Sequence, residues 1–164
     1  MTDMLNNSNS IQVGVRAIVP SAEGIVVVEH QEKADQPFFF VLPGGGVENG
    51  ESLFEATTRE VAEETNLHVV PERIVYLREV KAGESSGIEF YVLCQPVSEF
   101  PRLGHDPELA KGKQILKSVK VAFGEELVTN GFYPEELRGV IAKDLGNNFP
   151  EFRNLGTHVF HNAH

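Results

Sequence analysis

Three glutamates close together in one segment of this chain suggest a metal-binding chemistry. Glu60, Glu63 and Glu64 follow soon after the glycine run Gly44–Gly46. At helical spacing the three carboxylates lie on one side of a helix, and Glu60 and Glu64 repel each other because they are one turn apart. A divalent cation would relieve this repulsion, since Mg²⁺ is held by carboxylate oxygens, water and substrate phosphates. The alternative is an acidic helix face that is simply solvated.

The glycine run supplies a second half of the same hypothesis. Glycine allows backbone conformations that are closed to other residues, so Gly44–Gly46 can approach a ligand closely. Glycine-rich loops beside a helix start can hold phosphate, although three glycines alone are weak evidence. Glycines and glutamates together therefore predict metal ions that bridge a phosphorylated ligand to the protein.

A helix must present the glutamates, and its boundaries can be read from the sequence. Ser52 and Glu55 form a capping-box pattern, which predicts that the helix begins at Ser52. We expect it to end near Thr65, because Asn66 tolerates the left-handed conformation that often terminates helices. The same spacing turns Phe54 toward the core and leaves the acidic side chains on another face.

The rest of the chain indicates a fold with more strands than helices. A second helix is predicted over 134–145, where a proline and then glutamates open the segment. The stretch after it has no clear period and is expected to be a fluid tail. The predicted class is α+β or an αβα sandwich, with a flexible lead-in over 1–10 and a single domain over 11–164. Strands are predicted over 11–20, 25–30, 38–43, 73–80, 88–95 and 115–123.

Composition excludes several function classes. The chain has 164 residues and a formal net charge of −10, so a basic face for nucleic acid is not expected. No apolar run approaches the roughly 18 residues of a membrane helix, so no membrane partner is predicted. The single Cys94 lies in an apolar stretch and is interpreted as a buried thiol. A reducing, cytoplasmic location fits these features.

One segment resembles a known family. From Gly45 the chain has five residues, then Glu51, then seven residues, then the run Arg59–Leu67. This closely resembles the box of the Nudix hydrolases; only Asn66 departs, standing where the family has glycine. Looser similarity in strand order extends from about residue 11 to about residue 145. The resemblance implies a Nudix-like αβα sandwich with a mixed central sheet.

The resemblance also implies an activity and a set of site residues. Nudix enzymes hydrolyse a nucleoside diphosphate linked to another group, with Mg²⁺ or Mn²⁺ as cofactor. The cations would neutralise pyrophosphate oxygens and activate a water for in-line displacement at phosphorus. The implied metal ligands are Glu60, Glu63, Glu64 and the Gly44 carbonyl; Arg59 orients the glutamates, and Glu51 and Gly45 support the site.

Two site assignments outside the box stay open. Arg16 is either a phosphate or base contact or an exposed arginine at a strand edge. In many relatives the general base lies on a loop outside the helix, which points to the irregular stretch 96–113 with Asp106 and Glu108 as the leading candidates. The alternatives are a solvated loop without a role, or a base at Glu60, Glu63 or Glu84.

The substrate is not specified by the sequence. ADP-ribose, nucleoside triphosphates, sugar nucleotides and dinucleotides all remain open, because the extra signatures of those branches are absent. Five aromatic residues at strand spacing can stack a base, although such residues more often fill a core: Phe38, Phe39, Phe40, Tyr76 and Tyr91. The alternative function is a sensor module that binds a nucleotide without cleaving it. A homodimer is one assembly left open.

Overall fold

The computed structural model describes residues 10–31, 35–95, 100–104, 115–129 and 131–160. Within these ranges the chain forms eight strands and three helices, and a 3-10 turn at Glu135–Leu137 leads into the last helix. The helices are α1 (Leu53–Thr65), α2 (Gly124–Thr129) and α3 (Arg138–Leu145). The strands are β1 (Ile11–Ile18), β2 (Pro20–Ser21), β3 (Gly24–His30), β4 (Phe39–Val41), β5 (Pro71–Ala82), β6 (Ser85–Cys94), β7 (Leu116–Ala122) and β8 (Arg153–Phe160).

The strands form two four-stranded sheets. The first has the order β1-β6-β5-β8 and is mixed, since β1 runs parallel to β6 and β8 parallel to β5, while β5 and β6 form an antiparallel hairpin. The second has the order β2-β3-β4, with β7 also paired to β3, and is antiparallel throughout. A mixed α+β architecture was predicted, and it is confirmed.

Helices cover the sheets on two sides, which explains why the central strands are apolar on both faces. Along β1, Ile18 packs into a core cluster that includes Leu127 of α2 and Ile141 of α3. Its neighbour Ala17 points the other way, into a cluster with Val61 of α1. This alternation is the two-residue period of a strand, and it yields an αβα sandwich.

The box helix begins and ends as its sequence predicts. The Ser52 side chain accepts a hydrogen bond from the Glu55 amide, and the Glu55 side chain accepts one from the Ser52 amide. Asn66 ends the helix in the left-handed conformation, with φ of 54°. The expectation for Phe54 is wrong, because this residue is 39 % exposed and lies outside the buried stripe of the helix. The buried stripe instead runs through Ala56, Thr57, Glu60, Val61 and Glu64, so the acidic face itself turns inward.

The expectation of a fluid C-terminal tail is also wrong over residues 153–160. This stretch forms β8, which pairs with β5 at the edge of the sheet, within the part of the chain that the structure describes, and half-buries one face. An edge strand needs few apolar residues, so its sequence carries a weak periodic signal. Cys94 is buried, as predicted.

No helix in the described ranges is long and apolar enough to cross a membrane. Residues 1–9, most of the predicted lead-in, lie outside the described ranges.

Candidate active site

Residues 43–46, called the glycine strap below, lie between β1 and the buried face of α1. The amide of Val15 donates to the Gly45 carbonyl at 2.9 Å, and the amide of Ala17 donates to the Pro43 carbonyl at 2.8 Å. Gly44 has φ of +147°, and a Cβ there would meet the Val15 carbonyl oxygen at 2.1 Å. A Cβ on Gly45 would meet Glu60 Oε1 at 2.5 Å. The strap therefore needs glycine at position 44, where backbone atoms of β1 leave no room for a Cβ, whereas at position 45 a Cβ would displace the Glu60 carboxylate.

Two glutamates of α1 are buried under this strap. Glu60 is 7 % exposed and Glu64 is 5 % exposed. Glu64 Oε2 accepts a hydrogen bond from the Gly44 amide at 2.9 Å, so strap and helix are directly joined. Glu63 is half-buried on the same side of the helix. Glu60 and Glu64 are thus largely withdrawn from water, which is rare for glutamates that lack a partner.

Arg59 ties the strap to the acidic face. Its guanidinium makes a fork with Glu51, at 2.8 Å from Nε and 3.0 Å from Nη2. Nη1 donates to Glu60 Oε1 at 2.8 Å and to Glu63 Oε2 at 3.3 Å. Nη2 also donates to the Gly46 carbonyl at 2.9 Å. The hydrogen bonds to Glu51, above all, raise the pKa of Arg59, so the group is a permanent cation within the site.

Glu60 is held in an environment that disfavours its charge. Burial raises the pKa of Glu60 to about 7, even though the hydrogen bond from Arg59 acts in the opposite direction. A carboxyl group that is half protonated near neutral pH is ready to lose its proton when a cation arrives. The affinity of Glu60 for a divalent cation would therefore increase as the pH rises.

A pH prediction follows for the cation-free protein. Because the pKa of Glu60 in the folded state is above its ordinary value of 4.5, the folded state binds this proton more tightly than the unfolded chain. The stability that it contributes is full below pH 4.5 and is lost as pH rises to about 7. We expect Glu60→Gln to gain melting temperature relative to wild type between about pH 5 and about pH 8 in the presence of a chelator. A difference in melting temperature that does not change with pH would contradict this.

His30 belongs to the site, and sequence reasoning did not select it. It ends β3, and its Nε2 lies 3.9 Å from Glu64 Oε1. This nitrogen is buried and has no hydrogen-bond partner among the described residues. Burial and then the nearby Arg16 lower the pKa of His30 to about 3, so the imidazole is neutral. The one signal for His30 in the sequence was its position at the end of an apolar strand, just before a polar stretch.

Arg16 is buried, so the alternative of an exposed arginine at a strand edge is wrong, while its contact with a phosphate or base stays a prediction. The residue is 8 % exposed on β1. Its Nη1 donates to the Gly44 carbonyl at 2.5 Å, and its Nε lies 3.4 Å from Glu89 Oε1 on β6. The backbone of Gly44 is thus held on both sides of its Cα: Arg16 binds the carbonyl, and Glu64 binds the amide.

The predicted base candidates Asp106 and Glu108 lie outside the described residues. The described segment just before them, 100–104, is docked on the end of α1. The amide of Gly104 donates to the Glu64 carbonyl at 2.8 Å, and the Asn66 side chain donates to the carbonyls of Arg102 and Leu103. This segment therefore satisfies helix carbonyls that would otherwise lack a partner.

The donor set of the site fits a hard divalent cation. Within the described ranges no three or more His, Cys, Asp or Glu side chains are already arranged as a metal cluster. The chemistry of the donors nevertheless suits Mg²⁺ or Mn²⁺: two buried carboxylates and a third beside them. The Gly44 carbonyl, the fourth predicted ligand, accepts a hydrogen bond from Arg16. The unpartnered His30 nitrogen shows that this interior also leaves one polar group for a ligand or water to satisfy.

An aromatic cavity opens beyond His30. Its volume is about 590 Å³, and Phe38, Phe39, Tyr133 and Phe160 line it together with Arg138. The ring of Phe39 contacts the His30 ring at a centroid distance of 5.7 Å, so one lining residue of the cavity touches a residue of the glutamate site. Tyr76 and Tyr91, the other aromatic candidates for stacking, are fully buried core residues instead.

Comparisons with known proteins identify the family and the fold. The model of the NUDIX domain matches residues 10–120. The MutT protein from Methanosarcina mazei Go1 is similar in structure with a TM-score of 0.66 and 20% identity, over 84% of this chain and 95% of that chain. An ADP-ribose pyrophosphatase from Streptococcus suis 89-1591 has a TM-score of 0.60 and 15% identity, over 91% of this chain and 100% of that chain. At these identities the likeness concerns the fold. A comparison of the sequence with curated proteins gives no match.

Proposed function

Since this chain belongs to the Nudix family of pyrophosphohydrolases, we propose that it hydrolyses a nucleoside diphosphate linked to another group, with Mg²⁺ or Mn²⁺ as cofactor. The observation that carries the proposal is the buried pair Glu60 and Glu64 beneath the strap, with Gly44 bound to Glu64 at 2.9 Å. Burial of a carboxylate raises the free energy of the folded state unless a cation or hydrogen bonds compensate its charge.

The residues that would hold the cation are Glu60, Glu63, Glu64 and the Gly44 carbonyl. When bound, the cation supplies positive charge for the pyrophosphate oxygens and lowers the pKa of water in the site. The side chains of the protein hold these metal-binding groups at fixed positions. Arg59 holds Glu60 and Glu63 by one nitrogen and Glu51 by a planar fork, so the donors keep their spacing when substrate enters.

The aromatic cavity gives the proposal a substrate class. Planar rings line it, and one of them, Phe39, contacts His30 of the glutamate site. A nucleobase is a planar group that stacks on such rings. Arg138 and Glu135 at the lining can hydrogen-bond the polar edge of a base. We therefore propose that the base or another planar group of the substrate binds here; one structural neighbour is described as an ADP-ribose pyrophosphatase.

Phe38 offers a test of this subsite, because its ring lines the cavity and is 51 % exposed. Replacing it costs little packing, so we expect Phe38→Ala to fold normally. Loss of one stacking ring should raise the KM for a nucleotide roughly 5- to 100-fold, with kcat changed much less. The matched control is Phe152→Ala, since Phe152 is 58 % exposed and does not line the cavity. Equal kinetics in both variants would place the planar group elsewhere.

The proton acceptor is proposed to lie in the stretch of sequence that follows Gly104. We expect Asp106→Asn or Glu108→Gln to lose most of the turnover while still binding metal and substrate, because a positioned base contributes roughly 100-fold or more. Gly104 is hydrogen-bonded to the end of α1, which supports a base supplied from this part of the sequence. If both amide variants keep normal rates, the base must be sought at Glu60, Glu63 or Glu84.

A panel of nucleotides tests the function itself. ADP-ribose, a nucleoside triphosphate, a sugar nucleotide and a dinucleotide polyphosphate are incubated with the protein, with Mg²⁺ or with chelator, and the products are identified. We expect a nucleoside monophosphate or pyrophosphate from at least one of them in Mg²⁺ only. The alternative, a nucleotide sensor, predicts binding without any product.

A further inference from the structure

A row of charged side chains crosses the mixed sheet on one face. Glu89 lies on β6, between Arg16 on β1 and Arg78 on β5. Arg78 donates to Glu89 Oε2 through both Nε and Nη2, and Tyr91 donates to the same oxygen at 3.0 Å. Arg16 faces the other oxygen at 3.4 Å. Glu89 is 1 % exposed, so this row lies entirely inside the protein.

The row carries real charge. Burial alone would raise the pKa of Glu89, yet Arg16 and Arg78 hold it below the ordinary value. The buried carboxylate is therefore ionised between two cations. Networks of this kind are weak evidence for stability, because apolar residues of similar volume often stabilise a core as well or better. Their best-supported role is to hold the neighbouring groups in one defined arrangement.

The row ends at the glycine strap. Beyond its contact with Glu89, Arg16 donates from Nη1 to the Gly44 carbonyl at 2.5 Å, and Gly44 donates its amide to Glu64 Oε2 at 2.9 Å. A continuous path of polar contacts thus runs from Arg78 in the sheet to the buried carboxylate of α1. Nothing else in the described residues hydrogen-bonds the Gly44 carbonyl.

We propose that Glu89 is a positioning residue: it fixes Arg16, which fixes the Gly44 peptide, and thereby sets the place of Glu64. Glu89 would act without touching the substrate. Partners of this kind that orient metal-binding groups typically change metal affinity or activity roughly 10- to 100-fold when they are replaced. The part of the inference that concerns turnover rests on the proposed function; the part that concerns the Gly44 peptide does not.

The chain offers a matched control. Asp144 on α3 is also 1 % exposed, and it accepts hydrogen bonds from Tyr76 and twice from Arg153. Glu89→Gln and Asp144→Asn therefore each remove one buried charge that an arginine and a tyrosine compensate. Both should lower stability, whereas only Glu89 is linked to the strap.

Two readouts separate a positioning role from a structural one. The first is hydrogen exchange of the Gly44 amide in cation-free protein, followed by NMR. The second is kcat in saturating Mg²⁺ with the best substrate from the panel. We expect Glu89→Gln to speed exchange at Gly44 and to lower kcat, each roughly 10-fold or more, while Asp144→Asn changes neither beyond its effect on global stability.

The inference is overturned if both variants affect Gly44 exchange and kcat equally, or if Glu89→Gln leaves Gly44 exchange as in wild type. If wild type turns over no nucleotide, the proposed function fails and Gly44 exchange alone decides the inference. Should Glu89→Gln not fold, Arg16→Lys gives the second test, because one ammonium cannot keep both contacts. Wild-type exchange at Gly44 in that variant would equally reject the positioning role.

Discussion

Glu64→Gln is expected to reduce turnover roughly 100- to 1000-fold while the protein stays folded. The amide keeps an oxygen that can accept from the Gly44 amide, so the 2.9 Å contact survives and only the charge is removed. Loss of several kcal/mol of charge stabilisation at the reacting phosphate corresponds to a rate effect of that size. The measurement is kcat in saturating Mg²⁺, together with the melting temperature in chelator.

The control for this substitution is Glu72→Gln, which removes a charge at an exposed position of β5. It should leave kcat within about twofold, as surface changes usually do. In chelator, Glu64→Gln should melt at or above the wild-type temperature, because a buried carboxylate without a cation is unfavourable. Normal turnover would reject the role of Glu64, and a large fall in melting temperature would make it a structural residue.

Arg59→Lys is expected to lose rate roughly 10-fold or more with little change in KM. Lysine keeps the charge but has no planar fork, so it cannot hold Glu51 by two nitrogens while it also reaches Glu60, Glu63 and the Gly46 carbonyl. The donors of the site then lose their fixed spacing. Steady-state kinetics measure the split between kcat and KM.

Arg73→Lys is the matched control, since Arg73 also bonds backbone carbonyls, but those of Asn148 and Phe149 instead of a carbonyl of the strap. Its kcat should stay at the wild-type value. Both variants should lose some stability, because hydrogen bonds from charged donors contribute about 1.5–3 kcal/mol each. If Arg59→Lys has wild-type kinetics, Arg59 serves only to balance the surface charge of α1.

Much of the box could be predicted because its signals are local. The capping box of Ser52 and Glu55 is a pattern of four consecutive residues, and Asn66 ends the helix by its own conformational preference. The contact of Arg59 with Glu63 follows from one helical turn of spacing. Such features depend little on the rest of the chain, so a single sequence suffices to derive them.

The parts that failed depend on contacts between distant segments. Phe54 was expected inside because apolar residues are usually buried, but the strap covers the acidic face of α1 and leaves Phe54 outside. β8 depends on β5, which is more than 70 residues earlier in the chain. Glu89 gave no signal either, since a glutamate in a strand is normally interpreted as solvent-exposed, and its two arginines lie on other strands.

The central claim is that the buried face of α1 and the glycine strap together bind a divalent cation. The most direct measurement is the broadening of backbone amide NMR signals by Mn²⁺ added below one equivalent. We predict that the signals of Gly44, Gly45 and the last turn of α1 broaden first, and that the double variant Glu60→Gln, Glu64→Gln loses this effect. Broadening spread evenly over the acidic surface, or unchanged in the double variant, would contradict the account.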